Sequence, residues 1–314
     1  MQSRRQIWTG LSLGLLTLVA AFAAAAPPVK RARPPQFPKS VADAFFPDAR
    51  EKLVGDKRQR AAPTVEAPLP ATEIAPTDAP SGNDAWSQLI TAEAIEDEIK
   101  AQERQLGAAV ASAANFKGGG YQQARTALSL LAVLFAIDAE YGQPMRWQRE
   151  AAVARDQFAR AGFNCKVGTD ASFKEAQARH EELATLVRGG SLDARGKPAE
   201  SGWSQVADRA PLMKRLEQAY EQGLAPWSAN AGEFNRRLDR VAHEAQLVAA
   251  LAAVIQREGY EFADDESYRE PAEAMRTGAI AVREATANKN FDQARQAVSQ
   301  IGKSCTTCHE GYRN

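Results

Sequence analysis

Two cysteines and a histidine near the end of the chain are the residues with the clearest chemical potential. They occur as Cys305-Thr306-Thr307-Cys308-His309. On a helix, residues three and four positions apart lie on one face, so both thiols and the imidazole would project in the same direction. Two sulfurs could bond the two vinyl groups of a haem while the adjacent imidazole reaches the iron, and C-x-x-C-H is the pattern of covalent c-type haem attachment.

Three other kinds of site that use these residue types fit the pattern less well. A thioredoxin-like C-x-x-C normally follows a β-strand, and no alternating strand pattern precedes Cys305. A structural zinc site needs four N or S ligands, and only three are close together in this sequence. A disulfide between Cys305 and Cys308 would close a very small loop and would leave His309 without a role. The sequence therefore predicts haem attachment.

Helical periodicity predicts the elements that position this motif. The last helix begins near Phe291, and its apolar stripe continues into the two cysteines: Phe291, Ala294, Val298, Ile301, Cys305, Cys308 and Tyr312. Three more amphipathic helices precede it, at about 205–222, at about 233–258 and from about 270, where Pro271 would occupy a first turn. The alternative for the first of them is a start near Asp208, which would cap the helix and place Pro211 in its first turn. Short links between four such helices predict an up-down-up-down bundle.

An internal repeat extends this prediction to the region before residue 202. Two segments recur at offsets of 117 and 118 residues: Trp86-Ser87-Gln88-Leu89 as Trp203-Ser204-Gln205-Val206, and Phe173-Lys174-Glu175-Ala176 as Phe291-Asp292-Gln293-Ala294. Self-similarity at a fixed period is typical of repeated structural units. We therefore predict an all-α fold of two tandem four-helix up-down bundles, at 84–191 and 202–314.

The first copy lacks the residues that would attach haem. At an offset of 118, the positions of the two cysteines and the histidine hold Val187, Gly190 and Ser191. Gly189-Gly190 also predicts the end of a helix. His180 lies on the apolar stripe of this copy and could be a haem ligand, but such a histidine is more often a partly exposed side chain with its own partner. We expect the first copy to be free of haem.

The N-terminal quarter of the chain has a different composition. Arg4 and Arg5 precede an apolar run that ends in small residues, including the A-x-A site Ala21-Phe22-Ala23, so 1–26 is predicted to be a secretory signal peptide. The alternative is an uncleaved membrane anchor, because about 20 apolar residues can span a bilayer. Eleven of the 16 prolines lie between residues 27 and 80, which predicts a disordered Pro/Ala-rich linker at 27–83. The folded part is therefore expected in the periplasm or otherwise exported.

Composition excludes several other classes of protein. The 39 Lys and Arg residues balance 39 Asp and Glu residues, which argues against a nucleic-acid binder held by positive charge. Three cysteines in 314 residues exclude a disulfide-stabilised scaffold. We find no nucleophile triad, phosphate-binding loop or carboxylate pair at a recognisable spacing, and we expect no enzyme.

The ending Cys305 to Arg313 resembles that of the class II cytochromes c, the cytochrome c′ family. It has the family's C-x-x-C-H-x-x-aromatic-Arg pattern on the last helix of a predicted four-helix bundle. The resemblance implies one covalent haem c, with thioethers at Cys305 and Cys308 and with His309 as the proximal iron ligand. It also implies that Arg313 lies beside the proximal face of the haem, and that the first two helices can pair the protein into a homodimer.

The residue at the second axial position of the iron decides between functions. Met213 lies on the core-facing stripe of the first helix of the second copy, where a thioether ligand would suit electron transfer with redox partner proteins. If Met213 only packs, Leu212 or Leu216 would cover an open iron that binds small gases such as NO or CO; Met275 and His243 are weaker ligand candidates. A third hypothesis is a non-redox interaction scaffold. In the electron-transfer hypothesis, the first copy is a docking or spacing module.

Overall fold

The computed structural model describes residues 85–192 and 202–313, and within these ranges every regular element is helical, with no strand. The all-α prediction is confirmed for this part of the chain. The predicted signal peptide at 1–26 and linker at 27–83 lie outside the described residues. Among the helices of the described ranges, none combines the length and the hydropathy that a membrane span requires.

The two described ranges contain helices in the same order, a short helix followed by four long ones. The first range contains α1 (Ala85–Leu89), α2 (Ala92–Ala109), α3 (Tyr121–Glu140), α4 (Gln148–Asn164) and α5 (Asp170–Val187). The second range contains α6 (Trp203–Val206), α7 (Arg209–Gln218), α8 (Leu238–Val254), α9 (Glu266–Ala287) and α10 (Phe291–Tyr312). We refer to these two ranges as the first half and the second half.

Short helical segments connect the first two long helices of each half. Ala113–Asn115 and a π-helical turn at Phe116–Gly120 join α2 to α3. In the second half a π-helical turn at Ala219–Leu224 follows α7 directly, and Ala225–Trp227 and Ala231–Arg236 lead to α8. The predicted range 205–222 is therefore divided between α6, α7 and the π-helical turn. The alternative start near Asp208 is confirmed, because Asp208 is the N-cap residue of α7.

The second long helix of the second half differs from the single helix predicted at 233–258. The chain leaves the helical conformation at Arg237, where φ is −129°, and α8 ends at Val254. Beyond this end, the hydroxyl of Tyr260 donates to the carbonyl oxygens of Trp203 at 3.1 Å and Ala207 at 3.0 Å. These bonds hold the following loop against α6, a tertiary contact that helical periodicity does not reveal.

The third long helix begins earlier than predicted. Asp265 caps α9, because its side chain accepts a hydrogen bond from the backbone N–H of Ser267 at 2.9 Å. Pro271 is therefore inside the helix and not in its first turn. The proline is buried on the core side, where α9 packs against α8 and α10.

The apolar core is continuous through both halves. Helices α3 and α8 are buried around most of their circumference, including the runs 127–138 and 245–252. A helix that is apolar on all sides must be surrounded by other elements. Helix α3 packs on α2, α4 and α5 of its own half and on α6 and α7 of the other half, while α8 also contacts α1 and α2. The described ranges belong to one compact unit.

Candidate functional site

Helix α10 carries the C-x-x-C-H motif, and its start and packing are well defined. Asn290 caps the helix by accepting a hydrogen bond from the N–H of Gln293 at 3.1 Å. A close contact with α9 is possible at Gly278, where an added Cβ would lie 3.0 Å from Ile301 Cγ1. The helix continues through the motif to Tyr312 as predicted, so the three motif side chains occupy one face of α10.

The two thiols and the imidazole line one cavity. Cys308 is buried, Cys305 is half-buried and His309 is exposed, and both cysteines are free of disulfide bonds. The cavity has a volume of about 1290 Å³. It is large for a small-molecule pocket, for which ~300–1,000 Å³ is usual.

The walls of the cavity come from all four long helices of the second half or from the residues beside them. Its apolar lining consists of Ala210, Met213, Leu216, Ile255, Ala272 and Met275. Charged residues of both signs also line it: Arg209, Lys214, Glu217, Lys303, Glu310 and Arg313. The helices α7 and α10 face each other across this space. In the first half the corresponding helices α2 and α5 pack directly against each other.

Met213 lies on α7 opposite the C-x-x-C-H motif of α10. The charge of Arg209, at the start of α7, acts on Cys308, whereas Tyr220, just after α7, lies against Gly302. Residue numbers therefore rise along α7 as they fall along α10, and the two helices are antiparallel. Met213 falls between Arg209 and Tyr220, so this order places it opposite the C-x-x-C-H segment.

Burial determines the protonation of the motif residues. It raises the pKa of both Cys305 and Cys308, so each is a neutral thiol near pH 7 and not a metal-ligating thiolate. Partial burial, together with the nearby charge of Arg313, lowers the pKa of His309 and outweighs the opposite effect of Glu217. A neutral imidazole is the form of histidine that binds a metal.

The donor set of the cavity fits a haem that is attached covalently. Two neutral thiols can each form a thioether, and a neutral imidazole can bind iron on the same face of the helix. A site made from protein ligands alone fits less well, because no group of three His, Cys, Asp or Glu side chains in 85–192 or 202–313 is arranged to hold a metal ion. Cys305, Cys308 and His309 would therefore hold the group, with Met213 available from the facing helix.

An aromatic cluster fixes the end of the motif helix. The hydroxyl of Tyr312 donates to Asp265 Oδ2 at 2.7 Å, which joins the end of α10 to the cap of α9. The Tyr312 ring centroid is 5.0 Å from that of Phe262 and 5.4 Å from that of Tyr268. Arg209 lies over both of these rings at 5.3 and 5.6 Å. Sequence reasoning missed Arg209, Phe262 and Tyr268, and only Tyr312 carried a signal, as the last residue of the apolar stripe.

The other predicted candidates occupy different positions. Arg313 lies just beyond α10, exposed, and its charge acts on His309 and on Glu217 of the facing helix. Met275 is buried on α9 and lines the cavity. His243 is not among the lining residues; its Nε2 forms a hydrogen bond with Glu98 Oε2 at 2.8 Å.

The first half has a different arrangement at the corresponding place. Val187 is the last residue of α5, and the helix ends before Gly189, whose φ is +94°. The ring of His180 lies against Gly107 of α2, and its Nε2 forms a hydrogen bond with Glu103 Oε1 at 3.1 Å. His180 is thus a partly exposed residue with its own partner.

Comparisons with known proteins agree with the position of this cavity. No curated protein and no solved structure matches the chain. Residues 204–313 match the family model described as Cytochrome C'. This range begins inside α6 and ends after Tyr312, so it contains every residue that lines the cavity. Residues 204–313 therefore form a domain of the cytochrome c′ family, a haem-binding c-type cytochrome domain whose haem c is bound covalently.

Proposed function

We propose that the protein is an exported electron-transfer protein with one covalent haem c in its second half, which Cys305, Cys308, His309 and Met213 would hold. The observation that supports this proposal most directly is that Met213 lines the same cavity as the motif, from the antiparallel helix opposite it. Haem iron supplies one-electron chemistry, and a thioether ligand tends to raise its reduction potential.

The chain's own residues would supply the environment for this chemistry. Leu216, Ile255, Ala272 and Met275 form apolar walls that exclude water. Low local polarity disfavours the more highly charged state of a buried group, and it is one of the factors that set a reduction potential. The tie between Tyr312 and Asp265 holds the end of α10 in place, which limits movement of His309.

The rim of the cavity is the proposed docking surface for a redox partner protein. It presents Lys303 and Arg313 from the α10 side and Glu217 from the α7 side, all partly or fully exposed. Surface charges of both signs suit a transient encounter that is oriented by electrostatics and weakened by salt. Export is part of the proposal because residues 1–26 have the pattern of a signal peptide.

Absorption spectra of the purified full-length protein in both oxidation states test the proposal. We expect a low-spin, six-coordinate spectrum that does not change when CO is added, and a protein mass that includes one haem. Met213→Leu keeps the apolar volume but removes the thioether, so this variant should become high-spin and bind CO. Met275→Leu is the matched control, because Met275 lines the same cavity from α9, and it should leave the spectrum low-spin.

Three results would count against electron transfer through a haem that Met213 helps to hold. A five-coordinate spectrum of the unchanged protein that shifts with CO or NO would assign gas binding instead. If the spectrum stays low-spin in Met213→Leu but becomes high-spin in Met275→Leu, the thioether ligand would be Met275 on α9 and not Met213. A stable complex with a partner that persists after Cys305→Ser and Cys308→Ser would favour the scaffold hypothesis.

A further inference from the structure

Equivalent residues of the two halves touch each other. The offset of 117 that relates Trp86 to Trp203 also relates Glu98 to Arg215. The ring centroids of the two tryptophans are 5.4 Å apart, and Arg215 Nε donates to Glu98 Oε1 at 3.0 Å. In an interface with two-fold symmetry, a residue meets its own equivalent only at the axis. Both pairs therefore mark an approximate two-fold axis between the halves.

Away from this axis the two halves contact each other through equivalent helices, although the residues that pair there are not equivalent. Thr91, just before α2, donates its backbone N–H to Gln246 Oε1 of α8 at 2.9 Å. Asp208 occupies the equivalent place before α7, and it accepts a hydrogen bond from Arg125 of α3 at 2.6 Å. Each half thus uses the start of its first long helix to bind the second long helix of the other half.

The charges at the axis are not symmetric. Only 3% of the Glu98 side chain and 7% of the Arg215 side chain are exposed. Arg215 also donates to Glu244 Oε2 at 2.8 Å, while the second oxygen of Glu98 pairs with His243. Burial raises the pKa of Glu98, but the bonds from His243 and Arg215 outweigh burial and bring this pKa to about 2. The interface therefore contains a fully ionised, buried pair.

Pairing of like halves would lose this complementarity. Two second halves that met through the same faces would bring Arg215 against Arg215, and two first halves would bring Glu98 against Glu98. Glu98 would lose its bonds to Arg215 and His243. Arg215 would keep only Glu244 of its own half. A buried charge that loses its opposite partner in this way is strongly destabilising. Discrimination between partners commonly depends on such a repulsive element as well as on an attractive one.

We propose that the first half is the built-in partner of the haem-binding half, and that Glu98 and Arg215 select this pairing within one chain over the pairing of like halves from two chains. The face of α7 and α8 that the resemblance assigned to a homodimer is then covered inside the monomer, while the haem cavity on the other side of α7 is left accessible. This proposal does not depend on whether the haem transfers electrons or binds gases.

A cut between the halves of the intact, haem-loaded protein tests the proposal. A protease site placed within residues 193–201 allows cleavage after folding, and light scattering during gel filtration then gives the mass of each species. We expect a 1:1 pair of unlike halves. Arg215→Glu should raise the dissociation constant of this pair by about 100-fold or more, since it puts two buried carboxylates together. Arg295→Glu makes the same charge change on the exposed face of α10, and it should leave the dissociation constant unchanged.

Two further variants keep the test decisive if Arg215→Glu does not fold. Glu98→Gln preserves the size of the side chain and removes its charge, and it should weaken the pair by about tenfold or more. Glu98→Arg combined with Arg215→Glu should recover part of the affinity that Arg215→Glu alone loses. The recovery should be incomplete, because the new carboxylate at position 215 is repelled by the neighbouring Glu244. The proposal would be overturned if the cut, otherwise unchanged protein formed pairs of like halves or separated into single halves. It would also be overturned if the dissociation constant between the halves were the same in Arg215→Glu as in Arg295→Glu.

Discussion

At the residue scale, Asp138 is a buried carboxyl group without a hydrogen-bond partner for its side chain in the described ranges. Its side chain is fully buried in α3, and neither carboxylate oxygen has a hydrogen-bond partner. Burial is the larger cause and the charges of Glu96 on α2 and Glu150 on α4 act in the same direction, and together they raise its pKa to about 7. The folded state therefore favours the protonated acid, whereas an unfolded chain ionises it near pH ~3.9.

This difference predicts how the free energy of unfolding depends on pH. Because the folded-state pKa is the higher one, the stabilising contribution of the Asp138 proton is complete below about pH 4 and is lost as the pH rises through about 7. A shift of this size corresponds to a change of roughly 4 kcal/mol in the free energy of unfolding. Denaturant unfolding of the full chain between pH 4 and pH 8 measures it, with Asp138→Asn as the reference.

The Asn variant keeps the shape of the side chain and cannot ionise. It should have nearly the same stability as the unchanged protein at pH 4 and should be the more stable of the two at pH 8. If the two stability curves run parallel across this range, Asp138 keeps its ordinary pKa in the folded protein. Other carboxylates titrate in both proteins alike, so they cancel in the difference.

At the element scale, two helices end in the same way with different residues. The N–H groups of Gly189 and Gly190 bind the carbonyl oxygens of Leu186 and Thr185, which closes α5 with a Schellman motif. After α9, Lys289 and Asn290 make the same bonds to the second and third carbonyls from the helix end. Lys289 has a φ of +51°, a conformation that glycine adopts readily and that a lysine adopts at a cost of ~1–2 kcal/mol.

Replacing Lys289 with glycine should therefore stabilise the protein. The relief of backbone strain exceeds the ~0.5–1 kcal/mol that glycine costs through the entropy of the unfolded chain, so we expect a gain of about 0.5–1 kcal/mol. Urea unfolding measures the change. Lys174→Gly is the matched control on the exposed interior of α5, where glycine should cost about 1 kcal/mol. A loss of stability in both variants would show that Lys289 contributes more than its backbone strain costs.

At the scale of the whole molecule, the continuous core links the two halves. Helix α3 of the first half packs on α7, which forms one wall of the cavity. A domain with its own core and few shared contacts can unfold separately, whereas a shared apolar core makes unfolding cooperative. We therefore expect one transition, reported equally by the haem absorbance and by the helical signal in circular dichroism.

A core substitution in the first half tests this coupling. Leu130 is fully buried in α3, and Leu130→Ala should remove about 2–5 kcal/mol from the free energy of unfolding. The midpoint of the haem transition should fall together with that of the helical signal. A haem transition that keeps its midpoint while part of the helical signal is lost earlier would show that the second half is stable without the first.

Local patterns were sufficient for the helical class, for the helix that carries the motif and for several helix ends. Phe291 as the start of α10 and Gly189-Gly190 as the stop of α5 followed from spacing and from residue preference. The break at Arg237 and the early start of α9 at Glu266 were predicted wrongly. The cap at Asp265 is local, but the same side chain also accepts a hydrogen bond from Tyr312, a contact that spans 47 residues. Helical periodicity records which face is buried and does not record the element that buries it.

The sequence by itself determined the chemistry at Cys305, Cys308 and His309, because three side chains within five residues of one helix need only that helix to share a face. Only the tertiary structure decided what surrounds these residues. Helices α7 and α10 lie apart, Arg209 lies over the aromatic cluster, and Glu98 forms a buried pair with Arg215. Those two charges are 117 residues apart and reside on helices that each look amphipathic and ordinary. Their interaction exists only because the two halves pack against each other, and a long-range contact of this kind leaves no periodic signal in one sequence.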